Sequence, residues 1–283
     1  MAEVRPTGAR AFAGATALYG VLAVAAALFL IPFYLIVRNG LSTDISLSRP
    51  DWQLFPTDLQ LGNVSALLDN PTVDFARSLR NSAIVSIVQT TGTVFIASMA
   101  GYGLARIPYR FANAVFVFIL ATLMIPAAVT FVPSFVIVSE IGWVDTYQGL
   151  IVPVMFQAFA AFLFRQYFIG FPLELEEASR IDGLSTWGTY WRIVVPNSKG
   201  IFAAVASITF IGSWNAFLWP LVVGKDEDKW TVQVALSTLL NAQSPRVSQL
   251  FVASAIAIAP LLIVFVLLQR YIVEGVERTG ING

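Results

Sequence analysis

Apolar residues along this chain gather into six runs separated by polar turns. The runs extend from about Ala13 to Val37, Ala83 to Leu104, Ala112 to Val138, Gly149 to Phe164, Ile201 to Val223 and Phe251 to Leu268. A hydrocarbon layer of about 30 Å takes roughly 20 helical residues at about 1.5 Å each, so runs of this length can cross it, the fourth being the shortest. Backbone groups in lipid must bond internally, and the polar connections read as helix turns, so helices are favoured over a barrel. The pattern predicts an all-α membrane protein with six transmembrane helices, the third carrying Pro126 and Pro133. Arg5 and Arg10 precede the first run as they would in a secretory signal, but that run is too long and lacks an obvious small-residue cleavage site. It is expected to be a retained span.

One polar block breaks the pattern between the fourth and fifth runs: "EEASRIDGLSTWGTYWRIVVP", Glu176 to Pro196. It reads as two short helices. Pro172 suits a first turn, Glu174, Glu176 and Glu177 favour the positive end of the helix dipole, and Gly183 is placed to end the helix in a left-handed conformation. Ser185 can cap the second helix, whose Trp187, Tyr190, Trp191 and Val194 form one apolar face until Pro196 stops it. A helix–glycine–helix elbow of this kind suits a peg seated in a partner's groove. An amphipathic hairpin lying on lipid headgroups has the same pattern.

Composition sharpens the membrane reading. The chain is 57% apolar and 12% charged, where soluble domains run near half and a quarter. It has no Cys and no His, which excludes a disulfide framework, thiolate chemistry, the usual zinc sites and a histidine base. Ten of its 17 basic residues fall on the side of the two termini and seven on the other, so the termini are expected in the cytoplasm of a prokaryotic plasma (inner) membrane. The expected layout is an N-terminal tail over 1–12, a six-helix domain over 13–273 and a C-terminal tail over 274–283. Outer loops fall at about 38–80 and 224–249, with the polar elbow at about 165–199 on the cytoplasmic side. Each outer loop is either a solvated connection or a dock for an external protein. The second has an amphipathic middle of Val232, Val234, Leu236, Leu239 and Leu240.

Polar groups inside spans are costly and therefore functional candidates. Gln89, Thr90 and Thr91, Gln157 and Asn215 are such groups. Trp214, Asn215 and Trp219 combine rings with an amide in the way a sugar requires, its apolar face stacking while its hydroxyls bond; Phe156, Gln157 and Phe159 come next. The competing role for each is a bond to a neighbouring helix or, for Trp, a place at the membrane interface. The small residues Ala97, Gly101 and Ala105, four apart, let another backbone approach closely.

The elbow resembles the EAA loop of ABC importer permeases. That pattern is Glu-Ala-Ala, three residues, Gly, nine residues, Ile, one residue, Leu-Pro, and this chain has Glu177, Ala178, Ser179, Gly183, Ile193, Val195 and Pro196 in register. Ser replaces the second Ala and Val replaces Leu. "LRNSAIV", Asp182-Gly183, "SWNAFLWPL" and "LQRYIVEGVERTGING" are similar to the carbohydrate branch, in particular the smaller permease of maltose-type systems.

The resemblance implies a coupling helix seated in a cytoplasmic ATPase, with Glu177 as its charged contact, Ala178 and Ser179 as a close-packing surface and Gly183 as the hinge; Asp182, Ile193 and Pro196 complete the motif. It implies a homologous second permease, two copies of an ABC ATPase that bind ATP and Mg, an external solute-binding protein and surrounding membrane lipid, with no nucleic acid. This chain itself needs no cofactor and catalyses nothing: Gly183 and Gly188 have Walker A glycine spacing, but Thr189 stands where Lys is required. The tail after Arg270 either reaches the ATPase pair or frays. The cargo implied is a sugar or oligosaccharide, with a polyol or glycerol phosphodiester as the alternative. Two other classes compete: a lipid-modifying membrane enzyme using Asp182, Glu177 or Arg192, and a scaffold without transport. A homodimer also stays open.

Overall fold

The computed structural model describes residues 8–280 apart from 52, 57 and 244, and among them all regular structure is helical. The order is α1 (Gly8–Gly40), α2 (Asp44–Leu47), α3 (Gly62–Leu68), α4 (Phe75–Arg106), α5 (Ala112–Leu123), α6 (Ala127–Glu140), α7 (Tyr147–Met155), α8 (Ala158–Ile169), α9 (Leu173–Ile181), α10 (Thr186–Thr189), a π turn (Tyr190–Val194), α11 (Val195–Asn197), α12 (Lys199–Trp214), α13 (Leu218–Val223), α14 (Val232–Leu240) and α15 (Val247–Gly280). α1 begins inside the expected 1–12 tail, and α15 carries helix through most of the expected 274–283 tail. Residues 1–7 and 281–283 lie outside the described residues.

Three helices are each long and apolar enough to cross a membrane: Gly14–Gly40, Phe75–Arg106 and Val247–Tyr271. The others qualify only as bent pairs: α5 with α6 at 97°, α7 with α8 at 44°, and Thr186–Asn197 with α12 at 79°. The third and fourth apolar runs are therefore not single straight helices, and the fifth, which begins after the 79° joint, is interrupted between α12 and α13. Pro126 stands at the N-cap of α6. It supplies no N–H to α5 and pushes the residue before it out of helical geometry. In the fifth run α12 stops at Trp214 and α13 restarts at Leu218, with Pro220 in its first turn, where a missing N–H costs nothing. The break at Phe156 and Gln157 has extended backbone and no proline.

The chain divides into two compact units, one running up to Asp69 with Leu239–Ile256, the other Asn70–Thr238 with the chain from Ala257. In the first, loop segments are tied to helix ends: Asn63 Nδ2 donates to the Gly40 and Ser42 carbonyls at 2.8 and 2.9 Å, and Asp44 Oδ1 accepts from the Ser248 amide at 2.8 Å. α1 keeps its apolar residues on the surface.

The second unit is organised on α4, which packs along α8, α12 and α7. Its 32 residues span roughly 48 Å, well beyond the hydrocarbon thickness. α4 is polar inside and apolar outside: Ser82, Ser86, Gln89, Thr93 and Ser98 are buried, whereas Ile87, Val88, Phe95 and Ile96 are exposed. Gly101 faces α8 of this same chain, and Ala97 and Ala105 belong to the core cluster that includes Ala160, Ala161 and Phe164 of α8. The approach is close enough that a Cβ on Gly101 would lie 2.6 Å from Phe164 Cβ and 2.8 Å from the Arg165 backbone nitrogen. The N-terminal end of α4 holds the segment from Asp228 to Val232. Asn81 donates to the Asp228 and Trp230 carbonyls at 2.9 and 3.0 Å, and Ser82 Oγ accepts from the Val232 amide at 2.7 Å. α14 forms on the predicted amphipathic stretch, with Val232, Val234 and Leu239 buried, so that part of the loop is packed rather than solvated.

Gly101→Val should cost at least the ~1–3 kcal/mol typical of overpacking, because the obstacle is backbone. Gly103→Ala, with nothing within 4 Å of its added carbon, should be neutral or slightly stabilising. Thermal unfolding of both variants in detergent compares them directly.

Candidate functional site

The elbow forms as its residues dictate. α9 ends in a Schellman closure: the Leu184 amide donates to the Ser179 carbonyl at 2.9 Å and the Gly183 amide to the Arg180 carbonyl at 3.0 Å, with Gly183 at φ +80°. Ser185 Oγ then accepts from the Gly188 amide at 3.2 Å and caps the second helix. Pro196 does not stop that helix, which continues to Asn197 before the joint at Ser198. The π turn just upstream widens the helix, Val195 N–H bonding the Tyr190 carbonyl, and Asn197 Nδ2 satisfies the Ile193 carbonyl at 2.7 Å.

The aromatic face divides in two. Tyr190 and Val194 are buried in the core cluster with Tyr102, Phe164 and Phe168. Trp191 stacks on Phe95 at 6.0 Å, and Trp187 remains on the surface. Ser179 is also internal, its hydroxyl 2.7 Å from Thr189 Oγ1 and donating to the Glu176 carbonyl at 2.7 Å. It closes the elbow on itself and offers no packing surface to a partner.

Glu176 is the buried acid of the trio, 1% exposed. Arg106 Nε lies 3.0 Å from its Oε1, an ionic contact without the alignment of a hydrogen bond, and Tyr102 Oη donates to Oε2 at 3.4 Å. A second guanidinium nitrogen donates to the Phe171 carbonyl. α9 leaves every residue but Glu176 and Ser179 exposed, among them a stripe of Glu174, Glu177, Ala178 and Ile181 at helical spacing, with Ile181 87% exposed. Asp182, Gly183 and Pro196 are exposed and Ile193 is half-buried.

A second set of candidates sits at the helix breaks. Gln89 accepts from Ser213 Oγ at 2.6 Å and donates to the Val154 carbonyl at 3.3 Å, while Thr93 donates to the Met155 carbonyl. Trp214 is 2% exposed and donates to the Ala257 carbonyl at 2.9 Å. Trp219 donates to the Gly149 carbonyl at 3.1 Å, its ring edge-on to Phe131. These three candidates are committed to neighbouring helices. Asn215, exposed at the α12–α13 break, accepts from Gln233 Nε2 at 3.3 Å, and half-buried Gln157 lies at the α7–α8 break beside exposed Phe156 and Phe159.

Residues 92–278 match the family described as binding-protein-dependent transport system inner membrane component. The chain belongs to that family. It is 32% identical to the arabinooligosaccharides transport system permease protein AraQ of Bacillus subtilis, over 90% of this chain and 92% of that one. It is 33% identical to the lactose transport system permease protein LacG of Rhizobium radiobacter, over 91% and 93%. The sn-glycerol-3-phosphate transport system permease protein UgpE of Yersinia pestis is 30% identical over 90% and 92%. In fold it is similar to a chain of a bacterial ABC transporter involved in the import of the acidic polysaccharide alginate, with a TM-score of 0.79 and 21% identity over 95% of this chain and 99% of that one.

The relatives of this inner membrane component are transport permeases, and none of these matches supports the lipid-modifying reading of Glu177, Asp182 and Arg192. Sequence reasoning read Glu176 only as an acid at the helix dipole and missed Tyr102 and Arg106 as its partners. The available signal was Ser98, Tyr102 and Arg106 recurring every fourth residue at the end of an apolar run.

Gln89→Leu leaves the Val154 carbonyl and the Ser213 hydroxyl without their partner, at a cost of about 1–3 kcal/mol for a buried polar group. Lower thermal stability in detergent is expected, and Gln89→Glu, which keeps the acceptor but sets a buried carboxylate against the Val154 carbonyl, should lose at least as much.

Proposed function

We propose that this inner membrane component is the permease for a sugar or oligosaccharide. It forms half of a translocation path beside a homologous second permease, loaded by an external solute-binding protein and driven by two ABC ATPase subunits that bind ATP and Mg. Three single helices, the bent pairs α5–α6 and α7–α8, and α12 with α13 then make six spans, with both termini and the elbow in the cytoplasm, as the basic excess on that side favours. The observation that carries the coupling role is the bare α9 stripe. An 87%-exposed Ile181 beside Ala178 and two carboxylates is an apolar knob with a charged rim, the form of an amphipathic helix that lies in a partner's groove. Glu177 faces outward there for an ion pair, and Gly183 provides the turn.

The sugar reading rests on the names of AraQ and LacG, and on uncharged Asn215 and Gln157 being the candidates left at the breaks. The name of UgpE favours a second reading, a glycerol phosphate or related diester. Deleting the gene and measuring uptake of labelled arabinooligosaccharide, lactose and sn-glycerol 3-phosphate separates them: loss of a neutral sugar supports the first, loss of only the phosphorylated solute the second. Unchanged uptake of every solute carried by the parent strain would overturn the transport role.

Ile181→Asp should release the ATPase on purification and lower uptake at least tenfold. Gly183→Pro, whose ring fixes φ near −65° where +80° is needed, should leave hydrolysis running while uptake falls. Wild-type uptake in either variant would contradict the coupling role.

A further inference from the structure

The elbow joins the helices on either side of it through breaks: Gly170 to Pro172 lead into α9, and the 79° joint at Ser198 leads into α12. A bent joint is a poor strut. Yet three side chains on one face of α4, spaced by four residues, each reach a different part of the elbow. Ser98 Oγ lies 2.7 Å from Tyr190 Oη in the second helix. Tyr102 donates to Glu176 in the first, and its ring sits 5.1 Å from that of Tyr190 and edge-on to Phe168 at 5.7 Å. Arg106 pairs with Glu176 and bonds the Phe171 carbonyl in the lead-in. Further along the same helix, Gln89 and Thr93 hold the Val154 and Met155 carbonyls at one helix break, and Gln89 also takes the Ser213 hydroxyl, next to the residue that ends α12.

We propose that α4 and the elbow move as one rigid body, clamped by Ser98, Tyr102, Arg106 and Glu176. Force on the elbow then reaches the helix breaks through α4 and not through the joint at Ser198. Arg106, Tyr102 and Glu176 are positioning residues, since none needs to touch cargo or ATPase. The clamp stays closed through the cycle because opening it would leave a buried carboxylate without its cation. The inference rests on the reading above that the elbow receives the ATPase stroke. Its physical warrant is a shared rigid element, which requires a direct coupling test.

The chain has no cysteine, which permits a clean one. In the assembled, reconstituted importer, Arg106→Cys with Glu176→Cys should lower the amount transported per ATP hydrolysed at least tenfold while hydrolysis persists. Joining the two thiols with a short bismaleimide should restore the ratio to within about twofold of the parent. A bridge that blocks transport would show that the contact opens during the cycle and would overturn the proposal, as would an unbridged pair with the parent's ratio.

A second measurement needs no ATPase. Amide hydrogen exchange of the full chain in lipid nanodiscs should quicken at least tenfold over residues 173–181 and 186–194 in Glu176→Gln, and less in the conservative Tyr102→Phe. Unchanged exchange in both would refute the clamp. Loss of all uptake and ATPase binding in the parent chain, with the exchange result intact, would instead refute the importer reading alone.

Discussion

An apolar layer offers no water to a backbone group, so every carbonyl released by a broken helix must find a donor inside the protein. This chain breaks several of its helices, and the rest of its second unit is arranged around that demand. α4 is the helix that meets it. Its polar residues point inward, where Gln89 and Thr93 take up the carbonyls of Val154 and Met155, and its apolar residues point outward. Small residues beside that polar stripe let α8 come into backbone contact at Gly101. The inverted amphipathicity of α4 is thus a structural requirement before it is a functional one.

Two kinds of polar residue follow from this. Gln89, Trp214 and Trp219 look like substrate groups by composition, but their bonds go to Val154, Ser213, Ala257 and Gly149, which are parts of neighbouring helices. Asn215 and Gln157 stand at breaks and keep more of their surface open. The same division runs through the elbow. Glu176 turns in and is neutralised by Arg106, whereas Glu177, its neighbour in sequence, turns out with Ala178 and Ile181. Adjacent carboxylates, about 100° apart on a helix, serve opposite purposes.

Much of this is legible in the sequence. The left-handed end at Gly183 and the cap at Ser185 were readable because each is a local event decided by two or three residues. Apolar runs identified the segments but not their shape, since hydropathy measures length and polarity and is blind to a bend. The break at Phe156 and Gln157 carries no proline to announce it, and Pro196, which should have ended a helix, is accommodated beside a π turn. The burial of Glu176 was illegible for a different reason: its partner lies 70 positions away on α4, and only tertiary packing chooses between three acids in one turn. Ala97, Gly101 and Ala105 were readable as a place of close approach, but not as one filled by the chain's own α8.

The buried Arg106–Glu176 pair also restricts how the sequence can drift. Changing either residue alone strands a charge in the core, at a cost of roughly 3–5 kcal/mol, whereas exchanging both for apolar groups of similar volume can be nearly neutral. Evolution at these two sites must therefore pass through paired replacement, so that the history of one position is written in the other.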